Sequence, residues 1–378
     1  MAKATTEPLR KPDKIHALTS LRFFAALFVV CYHAIGSFFI GIMHDGLLGR
    51  FLNLGFVSVS FFFLLSGYIL GVVYLRREKP VAAKPFLLAR FARVYPLFFL
   101  TLVLDTPNLF LSRLATYGTK AAILKTAVTF AGTSVMLHAW ITVLGGIDNP
   151  NWSLAVETVF YLSFPILGVA LWKLRGLRLS VVAAVVYLGG QVAVYVVAPH
   201  VSSEVAKALP LLHLTTFALG ILLARWQTLA RQSSGSTSQV ALWAAALIAV
   251  VAFAAVLYWS PILPLASMYD GLLAPIFLLI VWAFSHSEWF PARILNVGWL
   301  IVLGEASFGL YLFHVPILHL FERLHMIHAP AFFPIYLGIS IAVSVLSFYF
   351  FETPARKWIL KHGHIRTKET MEVASDVQ

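Results

Sequence analysis

Apolar runs long enough to cross a lipid bilayer recur from one end of this sequence to the other. The first of them, "LTSLRFFAALFVVCYHAIGSFF" at 18–39, has the length of roughly 20 residues that a membrane-spanning helix needs. The chain of 378 residues is 60% hydrophobic and 12% charged, whereas soluble proteins carry about 25% charged residues. The sequence lacks the alternating strands, about ten residues long, that are typical of an outer-membrane barrel. It therefore predicts an all-α fold, a polytopic integral membrane bundle of helices.

The positions of the basic residues set the predicted number and orientation of the spans. Ten spans with both termini in the cytoplasm place most of the 28 lysines and arginines on the inner side, as the positive-inside rule requires. The segment 121–144 is apolar enough to be an eleventh span, but that span would send the basic tail "RKWILKHGHIRTK" outward. We therefore predict that 113–150, which contains this segment, is an excursion on the outer side that packs against the bundle. The predicted spans lie near 21–42, 52–75, 94–112, 152–172, 179–198, 208–225, 240–259, 267–284, 294–320 and 331–351.

A single membrane domain is predicted to occupy nearly the whole chain. Residues 1–20 are predicted to form a cytoplasmic N-terminal tail, residues 21–358 the membrane domain, and residues 359–378 a disordered cytoplasmic C-terminal tail. Residues 231–239, "RQSSGSTSQ", are predicted to be a flexible linker. The formal net charge of +12 does not indicate a nucleic-acid partner, because the basic residues stand at the ends of apolar runs. Cys31 is the single cysteine, so no intrachain disulfide can form.

Arg22 and His33 are polar residues within the first span. Eleven positions at 100° each bring the second side chain within about 20° of the first, so both project from one face, roughly 16 Å apart along the axis. With Arg22 at the cytoplasmic boundary, His33 lies near the membrane midplane, where burial favours the neutral imidazole that can accept a proton. The alternative is a packing histidine and an anchoring arginine. Cys31 projects from another face and is rejected as an acyl carrier, because a buried thiol is usually inert.

Two further arginines, Arg90 and Arg93 in "LARFARVYPLFF", stand three positions apart at the inner entrance of the third span. That spacing puts both side chains on one helical face. Arginines placed in this way can bind a phosphate bidentately from the cytoplasm. Ordinary anchoring of the span by positive charge is the alternative.

The segment "NPNWSLAVETVFYLSFP" brings a carboxylate into the fourth span. With Asn151 as the N-cap, Glu157 lies roughly 9 Å inside the helix, and no basic residue follows before Lys173. A carboxylate within the membrane needs a partner from another helix, or a proton. We predict that His33 is this partner and that Glu157 fixes the orientation of the imidazole, as a carboxylate does in other acyl-transfer sites.

The ninth span contains "GEASFGLYLFHVPIL". Glu305 and His314 are nine positions apart, which is half a turn out of phase, so they face opposite sides and do not form one site. His314 stands toward the outer end, where a hydrogen-bonded core histidine and an acceptor-site residue are both open interpretations. The sequence has no histidine and carboxylate spacing typical of a metal site and no glycine loop typical of phosphate binding.

Six segments occur in a fixed order between residues 20 and 358. Arg22 and His33 form an arginine, ten residues, histidine motif, and "FFFLLSGYIL" is similar to an "FFxLSGF" signature in which Tyr68 replaces the usual phenylalanine. "RFARVYP" matches an RxxR element and "NWSLAVE" a W-S-L-x-x-E element, while "GEASFGLYLFH" and "FFETPARKW" follow in the last two helices. Together these segments resemble the acyltransferase-3 family of integral-membrane O-acyltransferases.

The resemblance implies transfer of an acyl group, usually acetyl, from cytoplasmic acyl-CoA to a hydroxyl of a carbohydrate or glycoconjugate. It implies a multi-pass protein of the plasma (inner) membrane that needs no metal. It also implies that His33 is catalytic. The residues predicted to bind the acyl-CoA donor are Arg22, Arg90 and Arg93. The residues predicted on the acceptor side are Trp152, Ser153 and His314.

A proton-coupled secondary transporter or flippase is the alternative from another functional class. Histidine and glutamate residues within the membrane also form proton relays in such proteins. Inverted repeats would favour a transporter, and the sequence shows none. A transporter also has no use for paired cytoplasmic arginines unless its substrate is anionic.

Overall fold

The computed structural model describes residues 15–39, 46–76, 80–140, 149–233 and 237–363. All regular elements in these ranges are helices, and no strand occurs in them. The predictions for the first fourteen residues, for the centre of the linker and for the tail from residue 364 onward lie outside the described residues.

Ten helices in the described ranges are long and apolar enough to span a membrane. This confirms the prediction of an all-α polytopic bundle with about ten transmembrane helices. The described ranges also contain the shorter helix α4 and a six-residue helix, Phe290–Leu295, that carries no label here. In chain order the helices are α1 (His16–Phe38), α2 (Leu47–Leu75), α3 (Ala83–Tyr117), α4 (Thr119–Ser134), α5 (Trp152–Trp172), α6 (Gly176–His200), α7 (Ser203–Gln232), α8 (Gln239–Trp259), α9 (Leu265–Phe284), α10 (Gly298–Arg323) and α11 (Pro330–His362).

Several helices begin earlier than their predicted spans, and α3 does so by the largest margin. Helix α1 begins at His16 rather than at residue 21, and α3 begins at Ala83 rather than at residue 94. The second difference arises because Arg90 and Arg93 lowered the apparent hydrophobicity of this segment. In the structure both side chains are buried inside the protein, and both residues belong to the helix.

Helix α4 covers much of the apolar segment 121–144 within the predicted excursion, and residues 141–148 of that excursion lie outside the described residues. It has 16 residues and therefore a length of about 24 Å, which is less than the roughly 30 Å of a bilayer core. Gly118, with φ +73°, makes the turn from α3, and α4 then packs back against that helix.

Close contacts at two glycines bring four helices together at the centre of the bundle. A Cβ at Gly304 on α10 would overlap with the Thr19 carbonyl of α1, and a Cβ at Gly67 on α2 would overlap with the Phe217 carbonyl of α7. Small residues allow this backbone approach between membrane helices, where packing replaces the hydrophobic effect as the main attraction. The α1–α10 and α2–α7 contacts hold the elements that form the candidate site.

Labelling from the two sides of the membrane tests the predicted orientation. In a Cys31→Ala background, a cysteine replacing Lys120 is expected to react with an impermeant thiol reagent from outside, and one replacing Lys361 only from inside. Seven spanning helices, α5 to α11, separate these positions, and both side chains are exposed. A membrane-permeant maleimide serves as the control that labels both. Reaction of both positions from the same side would contradict the predicted topology.

Candidate active site

Two cavities lie next to each other within the helix bundle. The first, here called the arginine cavity, is lined by Arg22, Arg90 and Arg93 among other residues and has a volume of about 190 Å³. The second, here called the histidine cavity, is lined by His33 and Trp152 among others and has a volume of about 260 Å³. One water molecule needs roughly 10–15 Å³, so each cavity has room for part of a larger ligand.

The two cavities share a partition. Val59 on α2 and Tyr311 on α10 line both of them. The arginine cavity lies toward the beginning of α1, where Ile15 lines it, and the histidine cavity lies beside His33 in the second half of that helix. The two cavities therefore adjoin at Val59 and Tyr311.

Two arginines of the first cavity have hydrogen-bond donors that no described residue uses. Arg90 donates from Nη2 to the Tyr74 hydroxyl at 3.4 Å, whereas its Nε has no partner in the described ranges. Arg93, one turn later on α3, lies 3.8 Å from Glu352 and leaves its own Nη2 without a partner there. The two residues are only 6% and 8% exposed. Buried guanidinium groups with unused N–H donors are suited to binding an anion such as phosphate.

Glu157 lies in the arginine cavity and not beside His33. Its carboxylate accepts hydrogen bonds from Ser66, at 3.1 Å, and from Tyr161. The structure thus does not bring together the predicted pair of Glu157 and His33. The physical reason is the rotation around α5, because Glu157 is five positions after Trp152 and projects about 140° away from it. Trp152 faces the histidine cavity, so Glu157 faces another side.

The partner that the structure gives to His33 is His314. Nδ1 of His33 lies 3.3 Å from Nε2 of His314 and 3.0 Å from the Val29 carbonyl. A carbonyl can only accept, so His314 donates from Nδ1 to the Tyr311 carbonyl at 2.7 Å, and its Nε2 carries the lone pair. His33 then donates from Nδ1. This tautomer leaves Nε2 of His33 as the atom that can accept a proton.

Aromatic rings line much of the histidine cavity. Trp152 and Tyr269 face it together with Lys207, whose Nζ lies 5.8 Å and 5.7 Å from the two ring centroids. These distances are within the range of a cation–π contact. The cavity therefore offers flat apolar surfaces near a cation, with His33 at its wall.

The three residues predicted on the acceptor side occupy three different places. Trp152 lines the histidine cavity. Ser153 lines the arginine cavity, and its hydroxyl lies 2.7 Å from the Tyr311 hydroxyl at the partition. His314 is fully buried and lines neither cavity. Its ring contacts that of His33, with the two ring centroids 5.1 Å apart.

The start of α5 is fixed by His138, which lies outside the spanning helices. Burial lowers the pKa of His138, so its ring is uncharged at neutral pH. Its Nε2 donates to the Asn151 carbonyl at 3.1 Å. This contact holds the residue directly before Trp152 and Ser153, and so helps to place both of them.

Sequence analysis missed Tyr311 and Lys207 as site residues. A usable signal for Tyr311 is its position three residues before His314, which puts the two on neighbouring parts of one helical face. Lys207 falls between the predicted spans 179–198 and 208–225, in a segment whose sequence does not indicate a cavity. Cys31 lines neither the arginine cavity nor the histidine cavity. Within the part of the chain that the structure describes, no group of three or more His, Cys, Asp or Glu residues is arranged to hold a metal ion.

Comparisons with known proteins agree with one another. The family model Acyl_transf_3, described as an acyltransferase domain, matches residues 15–349. Acyltransferase MdmB of Streptomyces mycarofaciens is 29% identical over 343 residues, which cover 82% of this chain and 81% of that protein. No solved structure matches the chain.

Two relatives from Staphylococcus aureus are longer than this chain. O-acetyltransferase OatA is 25% identical over 382 residues, covering 93% of this chain and 58% of the relative. A putative O-acetyltransferase, SACOL0978, is 24% identical over 379 residues, covering 92% of this chain and 58% of the relative. The chain thus spans little more than half the length of these two proteins.

Proposed function

The chain belongs to the acyltransferase-3 family and is a multi-pass membrane acyltransferase, and from this premise we propose that it uses acyl-CoA, with acetyl-CoA as the preferred donor. We propose a carbohydrate or glycoconjugate hydroxyl as the acceptor. The observation that carries the proposal is that two cavities of different chemistry adjoin, one lined by buried arginines and one lined by His33.

The arginine cavity supports the assignment of the donor. CoA carries a 3′-phosphate and a pyrophosphate, and arginine binds such groups through paired N–H donors. Arg90 and Arg93 have unused buried donors, and Arg22 lines the same cavity. By the positive-inside rule we place this cavity on the cytoplasmic side of the plasma (inner) membrane, with both chain termini on that side.

His33 is proposed as the catalytic base. Nε2 of His33 takes the proton of the acceptor hydroxyl while the oxygen attacks the thioester carbonyl carbon. When the C–S bond breaks, the same nitrogen returns the proton to the leaving CoA thiolate. The products are the acyl ester and free CoA, and no net proton is released.

The relatives are named acyltransferases, and this favours acyl transfer over the transporter or flippase alternative. In the proposed acyl transfer, Arg90 and Arg93 bind the donor and His33 acts as the base, so one reaction uses all three residues. No feature of the described residues favours movement of an intact solute.

The proposed reaction can be tested with purified protein in detergent. Acetyl-CoA labelled in the acetyl group is mixed with a panel of methyl glycosides and oligosaccharides, and the products are identified by mass spectrometry. We expect a labelled ester on at least one glycoside and release of CoA that depends on the acceptor. Absence of acceptor-dependent CoA release, combined with solute uptake by vesicles containing the protein, would support the transporter instead.

Replacing Trp152 tests the assignment of the histidine cavity to the acceptor. We expect Trp152→Ala to raise the acceptor KM by about 3- to 10-fold, because an aromatic contact contributes about 0.5–1.5 kcal/mol beyond its buried area. The donor KM should stay unchanged, because the ring does not line the arginine cavity. Trp299→Ala, at an exposed tryptophan on α10, is the matched control. A rise in the donor KM alone would contradict the assignment.

A further inference from the structure

Tyr311 lies where the two cavities adjoin. It is one of two residues that line both of them, and the other, Val59, has an apolar side chain. The Tyr311 hydroxyl donates to the Pro150 carbonyl at 2.9 Å and lies 2.7 Å from the Ser153 hydroxyl. Its own carbonyl accepts the hydrogen bond that sets the tautomer of His314. Tyr311 therefore contacts Pro150, Ser153 and His314 at the place where the two cavities adjoin.

The reaction needs a hydrogen-bond donor at this partition. Under the proposed function, on which this inference rests, the thioester comes from the arginine cavity and the base acts from the histidine cavity. The reacting carbonyl must then lie where the cavities meet, beside Val59 and Tyr311. Attack on a carbonyl places negative charge on its oxygen, and a donor directed at that oxygen is often the largest catalytic contribution in acyl transfer. We propose that the Tyr311 hydroxyl is the donor to this oxyanion.

The hydrogen bonds around Pro150 explain how Tyr311 can be released for this role. The Pro150 carbonyl has two hydroxyl neighbours, Tyr311 at 2.9 Å and Ser153 at 3.0 Å. When Tyr311 turns its proton toward the oxyanion, Ser153 still donates to this carbonyl. No buried acceptor then loses its last partner, so the change avoids the cost of an unsatisfied polar group. Ser153 is thereby a positioning residue for Tyr311.

The proposed step is balanced. The acceptor oxygen forms a bond to the carbonyl carbon, its proton passes to Nε2 of His33, and the carbonyl electron pair moves onto oxygen. Tyr311 donates a hydrogen bond to that oxygen and keeps its proton. The carbonyl then re-forms, the C–S bond breaks, and His33 returns the proton to the thiolate.

The first test is the variant Tyr311→Phe, which removes only the hydroxyl group of this side chain. We expect Tyr311→Phe to lower kcat by about 10²-fold, the usual effect of losing one oxyanion donor, with both KM values changed by less than about threefold. Tyr187→Phe is the matched control, because Tyr187 also donates to a backbone carbonyl, that of Leu272 at 3.2 Å, but lines neither cavity. A Tyr311→Phe enzyme that retains kcat within about threefold would overturn the proposal.

A second variant keeps the proposal testable if the first does not fold. Ser153→Ala leaves the Pro150 carbonyl dependent on Tyr311, so release of Tyr311 would leave a buried acceptor unsatisfied, and we expect kcat to fall by about tenfold with acyl-CoA binding intact. The double variant should be no slower than Tyr311→Phe, because both changes remove one interaction. Unchanged kcat in Ser153→Ala, or losses that multiply in the double variant, would overturn the proposal. Wild-type protein in the same assay reports the proposed function separately: an active wild type with an unimpaired variant overturns only the oxyanion role, and a wild type inactive with acyl-CoA overturns both.

Discussion

Replacing His33 with alanine is expected to abolish acyl transfer, with a fall in kcat of about 10³-fold, while acyl-CoA still binds. The physical reason is that a hydroxyl is a poor nucleophile near neutral pH and loses its general base, a contribution of about 10²- to 10⁴-fold. Donor binding should survive because His33 does not line the arginine cavity. The measurements are kcat for transfer and calorimetry of acyl-CoA binding.

The control for this variant is His286→Ala. His286 is a partly buried histidine that contacts Thr237 and Trp282 and lines neither cavity, so its loss should leave transfer unchanged. Because His33 and Glu157 lie in different cavities, the losses in His33→Ala and Glu157→Gln should multiply. A double variant with the same kcat as His33→Ala would instead support the pairing of His33 with Glu157 that the sequence predicted.

The double substitution of Arg90 and Arg93 by alanine is expected to raise the donor KM by about 10³-fold. Each charge-assisted hydrogen bond to a charged group contributes about 1.5–3 kcal/mol, and this change removes at least two of them. Substitution by lysine should restore only part of the affinity, because a point charge lacks the fork geometry of the guanidinium group. Donor KM and calorimetric affinity are the measurements.

The matched control removes two other arginines, Arg293 and Arg323, which are at exposed positions outside both cavities. It should leave the donor KM unchanged. Loss of Arg93 also leaves the buried Glu352 without its neighbour at 3.8 Å, which can destabilise the fold. The lysine variant keeps a positive charge there and therefore controls for misfolding. Unchanged acyl-CoA affinity in a folded double alanine variant would remove the donor role from these residues.

The sequence predicted the number of spanning helices because apolar length and the position of basic residues decide how a chain crosses a bilayer. It also predicted that Arg22 and His33 share one face of α1. In the structure these residues line the two adjoining cavities. Both predictions depend on properties of single segments, which can be read without knowing how the helices pack.

The pairing of His33 depends on which helices meet, and this the sequence does not reveal. His314 is 281 positions away, and it reaches His33 because α10 packs against α1 at Gly304. Glu157 has a suitable depth in the membrane but the wrong rotation around α5. The spacing of Tyr311 from His314 indicates a shared helical face, but not the position of Tyr311 between two cavities that form only when the helices assemble.

The most direct test of the two-cavity account measures from which side each substrate enters. The protein is reconstituted in sealed vesicles, and its orientation is determined with the cysteine at Lys120. Acetyl-CoA labelled in the acetyl group is supplied only on the side of the arginine cavity, and an accepted glycoside only on the opposite side. We predict labelled ester on the glycoside side, free CoA on the donor side, and no product when the two substrates are exchanged. Ester that forms only when both substrates are on the same side would contradict the account.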